Sequence, residues 1–181
     1  MQAWKHFKTI TKHKALVLDG CFRVGLIWQG ITHDLSKYSI TELSMCKYYT
    51  GKGSPHQVAR EVLGYSPSWI HHYHMNKHHF QFWWDEDEDG KIIPMKMPYK
   101  YLVESFCDML GASKAYNPDN WKPQMLLDYW EQRCIGKRIM HEASVSFLDA
   151  QIKNLVEYGE DGFFVWYKNN KDFLKKAYEN Y

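Results

Sequence analysis

Histidine and aspartate recur along this chain in an order that suits the capture of divalent metal ions. His33 and Asp34 are adjacent, and Lys37 follows three residues after the aspartate. His13 lies upstream, five histidines (His71, His72, His74, His78 and His79) fall within residues 71–79, and Asp108 sits in an otherwise apolar stretch. Imidazole suits Fe, Mn, Ni, Co or Zn, and a carboxylate shared by two cations offsets their mutual repulsion. The cofactor this pattern implies is a divalent transition metal, one or two ions per chain. Water held between two such ions loses a proton near neutral pH, which makes hydrolysis of a phosphate ester the chemistry to expect.

The elements that must position these residues read as helices. Residues 3–18 place Ala3, His6, Ile10, His13 and Val17 on one face. On spacing alone, His13 fits either a metal ligand or a buried imidazole bonded to a carbonyl. Asp19-Gly20 is expected to break this helix, residues 21–29 to start another, and Gly30 to interrupt before the His-Asp pair. Ser39 and Glu42 have capping-box spacing, with Leu43, Cys46, Tyr48 and Tyr49 supplying the apolar side. Residues 51–55 read as a connector and Pro55–Leu63 as a short helix closed by Gly64.

Ser66-Pro67 opens the helix that carries the histidine segment. Were it continuous, residues seven apart would lie about 20° from alignment, pairing His72 with His79 and His71 with His78. A turn at Asn76 would redirect the second pair. Residues 85–92 copy the start of an EF-hand loop, but its twelfth position is Lys96 and Pro94 intrudes, so a solvated acidic loop is expected.

Residues 99–115 form a helix with Leu102, Phe106, Met109 and Leu110 inward; Tyr101, Glu104, Ser105, Asp108 and Ala112 make its more polar side. Residues 122–132 and 139–157 are further helices, with His141 a surface or capping residue, and residues 159–162 end the second. The aromatic, Lys-rich residues 163–181 either pack back on the domain or contact a second copy. No stretch alternates like a strand, and the fold class is all-α.

With 181 residues the chain suits one domain with a full-sized core. A net charge of +2 argues against dedicated binding of nucleic acid or membrane surfaces. No apolar run is long enough to span a bilayer, and the Lys-rich start lacks the apolar stretch of a secretory signal. Cys21, Cys46, Cys107 and Cys134 are far apart and read as reduced thiols in a cytoplasmic protein. There is no Ser-His-Asp series, G-x-S-x-G elbow or cysteine nucleophile signature.

The phrase HDLSK resembles the HD-x-x-K element of the HD-domain metal-dependent phosphohydrolases. The longer phrases AWKHFKTITKH, HDLSKYSITE, NKHHFQFW and MPYKYLVESFCDMLGASKAY resemble a small bacterial and phage family known only as a domain of unknown function, over roughly residues 2–158. The resemblance implies an HD-like helical metal-binding domain at 1–158, with 159–181 a helical extension of it. It also implies a ligand set drawn from His13, His33, Asp34, His72, His78, His79 and Asp108, in which Asp34 bridges, Asp108 closes the site and at least one of His72, His78 and His79 ligates.

Lys37 and Asp34 become the catalytic pair, the lysine neutralising phosphoryl charge, with a small phosphorylated or nucleotide-like substrate. His71 and His74 are expected to lie outside the ligand set. Two other readings stay open here. One is oxygen-dependent cleavage at a di-iron pair, known in the same superfamily; the other is a non-catalytic, metal-stiffened module that binds a nucleotide or a partner protein. The substrate, the metal and any homo-oligomer are not specified by these residues.

Overall fold

A computed structural model describes residues 2–48 and 55–181; Tyr49 and the connector at 51–54 lie outside the described residues, as do the side chains of Ala3, His6 and Cys46. The fold is all-α. The first helix, α1 (Gln2–Val24), buries Ile10, His13, Val17, Cys21 and Val24 along one face at helical spacing. It runs straight through Asp19-Gly20, correcting the expected break. The break falls instead at Gly25, whose φ of 84° is the left-handed conformation that favours glycine. Gly30 does not interrupt either. It is buried inside α2 (Ile27–Thr32), where a Cβ would lie 2.8 Å from the Cys21 Cβ, so it lets α2 lie close on α1.

After α2 come a 3-10 turn (Leu35–Tyr38), the single-turn α3 (Ile40–Leu43) and a second 3-10 turn (Ser44–Tyr48). Ser39 caps α3 by accepting from the Glu42 amide at 3.3 Å. Then follow α4 (Pro55–Leu63) and α5 (Pro67–Met75), the latter capped by Ser66 with Pro67 in its first turn. Helix α5 stops at Asn76, which is extended at φ −124°, and a 3-10 turn (Phe80–Trp83) follows. The acidic loop is the tip of a hairpin that sequence pattern missed. Strand β1 (Trp84–Glu86) pairs antiparallel with β2 (Ile92–Pro94), and the Asp87 carboxylate ties the turn by accepting from the Asp89 and Lys91 amides.

Helix α6 (Tyr99–Tyr116) lies against α1 and supplies Leu102, Val103, Phe106, Cys107 and Leu110 to the core. Gly111 permits that approach, because a Cβ there would meet Val17 Cγ2 at 2.6 Å. Helix α7 (Pro123–Arg133) packs Leu126 and Trp130 inward. Helix α8 (Glu142–Glu179) starts later than expected, with His141 accepting from the Ala143 amide at 3.2 Å as its cap. It kinks at Gly159 (φ 68°, ψ 173°) and then resumes rather than ending. Its second half returns Phe163, Phe164, Tyr167 and Tyr178 to the core. Arg23 and Lys114 both pair with Glu160 just past the kink, at 3.2 and 2.7 Å. Among the described residues, no helix is long and apolar enough to cross a membrane.

Candidate metal centre

Asp34 sits at the junction of α2 and the following 3-10 turn, and its backbone is left-handed (φ 54°, ψ 26°). It is the one described residue other than glycine with positive φ. Aspartate tolerates that region better than most residues, yet it still costs about 1 kcal/mol or more. The strained turn aims the carboxylate inward, where Asp34 is 1% exposed.

The two carboxylate oxygens face different partners. Oδ2 lies 3.3 Å from His33 Nε2 and 3.6 Å from His13 Nε2, while Oδ1 lies 3.3 Å from His72 Nε2 and 3.5 Å from His78 Nε2. Asp108 closes the first set, its Oδ1 lying 3.0 Å from His13 Nε2 and 3.3 Å from His33 Nε2. His79 closes the second, its ring centroid 4.2 Å from that of His78 and 4.7 Å from that of His72.

The structure thus gathers His13, His33, Asp34 and Asp108 into one group and Asp34, His72, His78 and His79 into another, the donor atoms of each within 4.8 Å of one another. Donors about 2.1 Å from a shared ion lie at most about 4.2 Å apart, so adjustments of a few tenths of an ångström would close each group on a metal. These short separations are not aligned hydrogen bonds. Nε2 of His13, His33, His78 and His79 and Oδ1 of Asp34 are buried without a hydrogen-bond partner, while Asp34 Oδ2 faces the Lys37 ammonium. Buried polar atoms are rarely left so, and lone pairs that converge on a common point without meeting one another fit a cation.

Two glutamates hold the rings from behind. Glu104 Oε1, on α6, accepts from Nδ1 of both His33 (3.0 Å) and His78 (3.1 Å). Glu42, on α3, accepts from His72 Nδ1 at 2.9 Å and from His71 Nδ1 at 3.0 Å. An Nδ1–H donated to a carboxylate fixes the tautomer and leaves the Nε2 lone pair free for a metal. Both glutamates are 6% exposed. Sequence reasoning missed both. Helical spacing puts Glu104 on the polar side of its helix, and Glu42 has the spacing of the far member of a capping box.

His71 and His74 lie outside both groups, the first bonded to Glu42 and the second exposed beside Tyr73. The pairing of His71 with His78 fails because α5 ends before His78; the turn at Asn76 sends His78 back toward Asp34, and it brings His79 beside His72 without a continuous helix.

Charge is balanced inside the cluster. Burial pushes the Asp34 carboxyl up, but His33, Lys37 and His72 outweigh it and hold the group well below the carboxylate range. Burial favours neutral His33, yet Asp34, Asp108 and Glu104 hold its pKa well above the ordinary value. Asp108 is likewise depressed, with His13 and His33 overcoming its burial. His79 is pushed well down by burial and by His78 and His72, which leaves a neutral imidazole. Lys37 Nζ lies 2.5 Å from Asp34 Oδ2; burial disfavours its charge, but Asp34 and Asp108 keep it an ammonium. Without metal, protons and an ammonium balance this carboxylate cluster.

An all-α domain with a buried His/Asp cluster able to hold metal is the class of protein this architecture defines. Residues 2–155 match the family described as "Family of unknown function (DUF5662)", and the chain belongs to that family. No curated protein and no solved structure matches the chain. Membership assigns no reaction, and none of these findings links the chain to the HD-domain superfamily, so the chemistry has to be argued from the site.

Proposed function

We propose that the protein is a metal-dependent phosphohydrolase acting on phosphomonoesters or phosphodiesters at a dinuclear centre. The observation that carries this reading is Asp34, whose two oxygens face two separate imidazole sets. His13, His33 and Asp108 would hold one ion, His72, His78 and His79 the other, and Asp34 would bridge them. When bound, such a pair supplies a nucleophile from water and neutralises charge on the phosphoryl group.

The chain's own residues supply the rest. Glu104 and Glu42 hold the rings in register, and burial of the cluster limits the access of bulk water. Lys37, one turn from Asp34, brings an ammonium that donates and cannot ligate, which suits the non-bridging oxygens of a phosphate. In the hydrolysis, an oxygen from water bonds to phosphorus, the ester P–O bond breaks, and the leaving oxygen takes up a proton.

The test is elemental analysis of protein purified without a polyhistidine tag, followed by assays on phosphomonoester and phosphodiester panels with and without oxygen. Two first-row metals per chain and oxygen-independent release of phosphate or alcohol are expected. Asp34→Asn, which keeps a residue tolerant of the left-handed backbone, should lose both metals and turnover; Asp34→Ala should in addition destabilise the fold. Activity that requires oxygen and reduced iron would replace this reading with oxygenase chemistry. Two bound metals with no turnover across the panels would leave a metal-stiffened binding module.

A further inference from the structure

Each ligand group has three buried members and one half-buried member, Asp108 in the first and His79 in the second. Both half-buried residues line the same cleft, of about 710 Å³. The two candidate ion sites therefore open to solvent through one shared space, which is large enough for a drug-sized molecule.

The walls of that space are flat and apolar, with Trp69, Phe80, Trp84, Tyr129 and Trp130 among them. Three cations, Arg60, Lys137 and Arg138, also line it, with the Lys137 ammonium donating to the Gln132 carbonyl, and Asp108 is the sole carboxylate among the described lining residues. Arg23 and Lys114, by contrast, are both held by the Glu160 carboxylate. Among the described residues, Arg60, Lys137 and Arg138 pair with no carboxylate.

Arg138 is held for use. Its guanidinium lies over Phe80 and Tyr129, 5.4 and 5.8 Å from the ring centroids, and Nη2 donates to Tyr129 Oη at 2.7 Å. One of its five N–H donors is spent on that bond, so the fork is oriented by aromatic packing while donors remain for an anion. Arg60 is similarly placed over Trp69, 5.8 Å from the ring centroid.

We propose that this cleft is a leaving-group subsite for a doubly anionic aromatic substrate, and that Arg138 determines specificity for the second anion. One end of such a molecule carries the phosphate that Asp108 and His79 lead to, a flat ring lies between the aromatic walls, and the other end presents a carboxylate or phosphate to Arg138. The inference rests on the phosphohydrolase reading and adds the substrate class to it. A singly anionic phosphate ester would leave Arg138 without an anionic partner.

Non-hydrolysable phosphonates separate the two ideas, because they need binding and not turnover. Calorimetry on metal-loaded protein would compare phenylphosphonate with 4-phosphonobenzoate, benzene-1,4-diphosphonate and the biphenyl homologue of each. A second anionic group should tighten binding about tenfold or more, as a charge-assisted pair does. The carboxylate and phosphonate series tell which anion the subsite prefers. Arg138→Ala should erase that gain and leave phenylphosphonate affinity unchanged, and Arg138→Lys should restore only part of it. Phenylphosphonate binding with no gain from the second anion, or an equal loss on all probes in Arg138→Ala, would overturn the subsite and leave the metal reading standing. Failure of every phosphonate to bind would overturn both.

Discussion

Replacing Glu104 with alanine tests how the two ion sites are held together. One oxygen of Glu104 accepts from an imidazole of each group, His33 at 3.0 Å and His78 at 3.1 Å. Loss of an orienting partner costs a metal site about 10–100-fold in affinity, or about 1.4–2.7 kcal/mol. Since the acceptor is shared, Glu104→Ala should weaken both ions by that factor, where a residue serving one site would weaken one. The two stranded N–H groups are buried, which adds about 1–3 kcal/mol each to the destabilisation of the fold.

Glu104→Gln refines the test. Both N–H groups converge on a single oxygen, and a carboxamide oxygen with its two lone pairs can accept both. The glutamine variant should therefore keep both tautomers and most of the affinity. Metal content and chelator competition on the folded proteins give the answer. If Glu104→Ala keeps wild-type affinity at both sites, or loses one ion and holds the other at full strength, the shared-acceptor reasoning is refuted.

Further outcomes follow from other contacts. Lys37→Ala should retain its metals, because an ammonium beside Asp34 competes with cations, yet lose turnover by about 10²-fold; loss of metal together with activity would assign Lys37 a structural role. Gly111→Ala would force a Cβ to within 2.6 Å of Val17 Cγ2. Overpacking of about 1–3 kcal/mol, less about 1 kcal/mol of improved helix propensity, should lower the melting temperature by a few degrees and loosen the site that joins His13 on α1 to Asp108 on α6, as thermal melts and metal titration would show.

His56 is pushed down to about 4 by burial and by His72, Lys37 and Arg60, from an ordinary 6.5. A depressed base is neutral in both states above the unfolded value, so its contribution to stability is fully present there and is lost as pH falls from 6.5 toward 4. Between pH 7.5 and pH 5 the loss should be about 2 kcal/mol, and His56→Gln should remove that part of the pH dependence in urea unfolding.

The legible part of the site was the set of residues whose type announces metal chemistry. His13, His33, Asp34 and Asp108 lie on three segments far apart in sequence, and the fold brings them together. What could not be read were the supports. A glutamate on a helix ordinarily faces water, and nothing near Glu104 in sequence shows that its partner is His33, 71 residues away. Glu42 looked like local capping chemistry, but a tertiary contact with His71 and His72 took its side chain instead.

Breakers misled for a related reason. Gly20 and Gly30 read as interruptions but lie inside helices, and Gly30 is there because another element packs against it. The hairpin was hidden because its three-residue strands are too short to show alternation and its acidic tip dominates the segment.

The turn at Asn76 has a consequence for how the centre assembles. By folding back at that point, the chain places three of the four donors of one group within residues 72–79, whereas the other group draws on residues 13–108. Closing the longer loop costs about 2 kcal/mol more chain entropy than closing the shorter. In a chain emerging from synthesis, the first cluster of imidazoles can seize an ion before α6 exists to supply Asp108. On the dinuclear reading a captured ion would act as a template, and the remaining donors would converge on a charge already in place. The order of ion entry would then follow the order of the sequence, and pulse labelling during metal-triggered refolding would read it as early protection around Asn76 and late protection along α1 and α6.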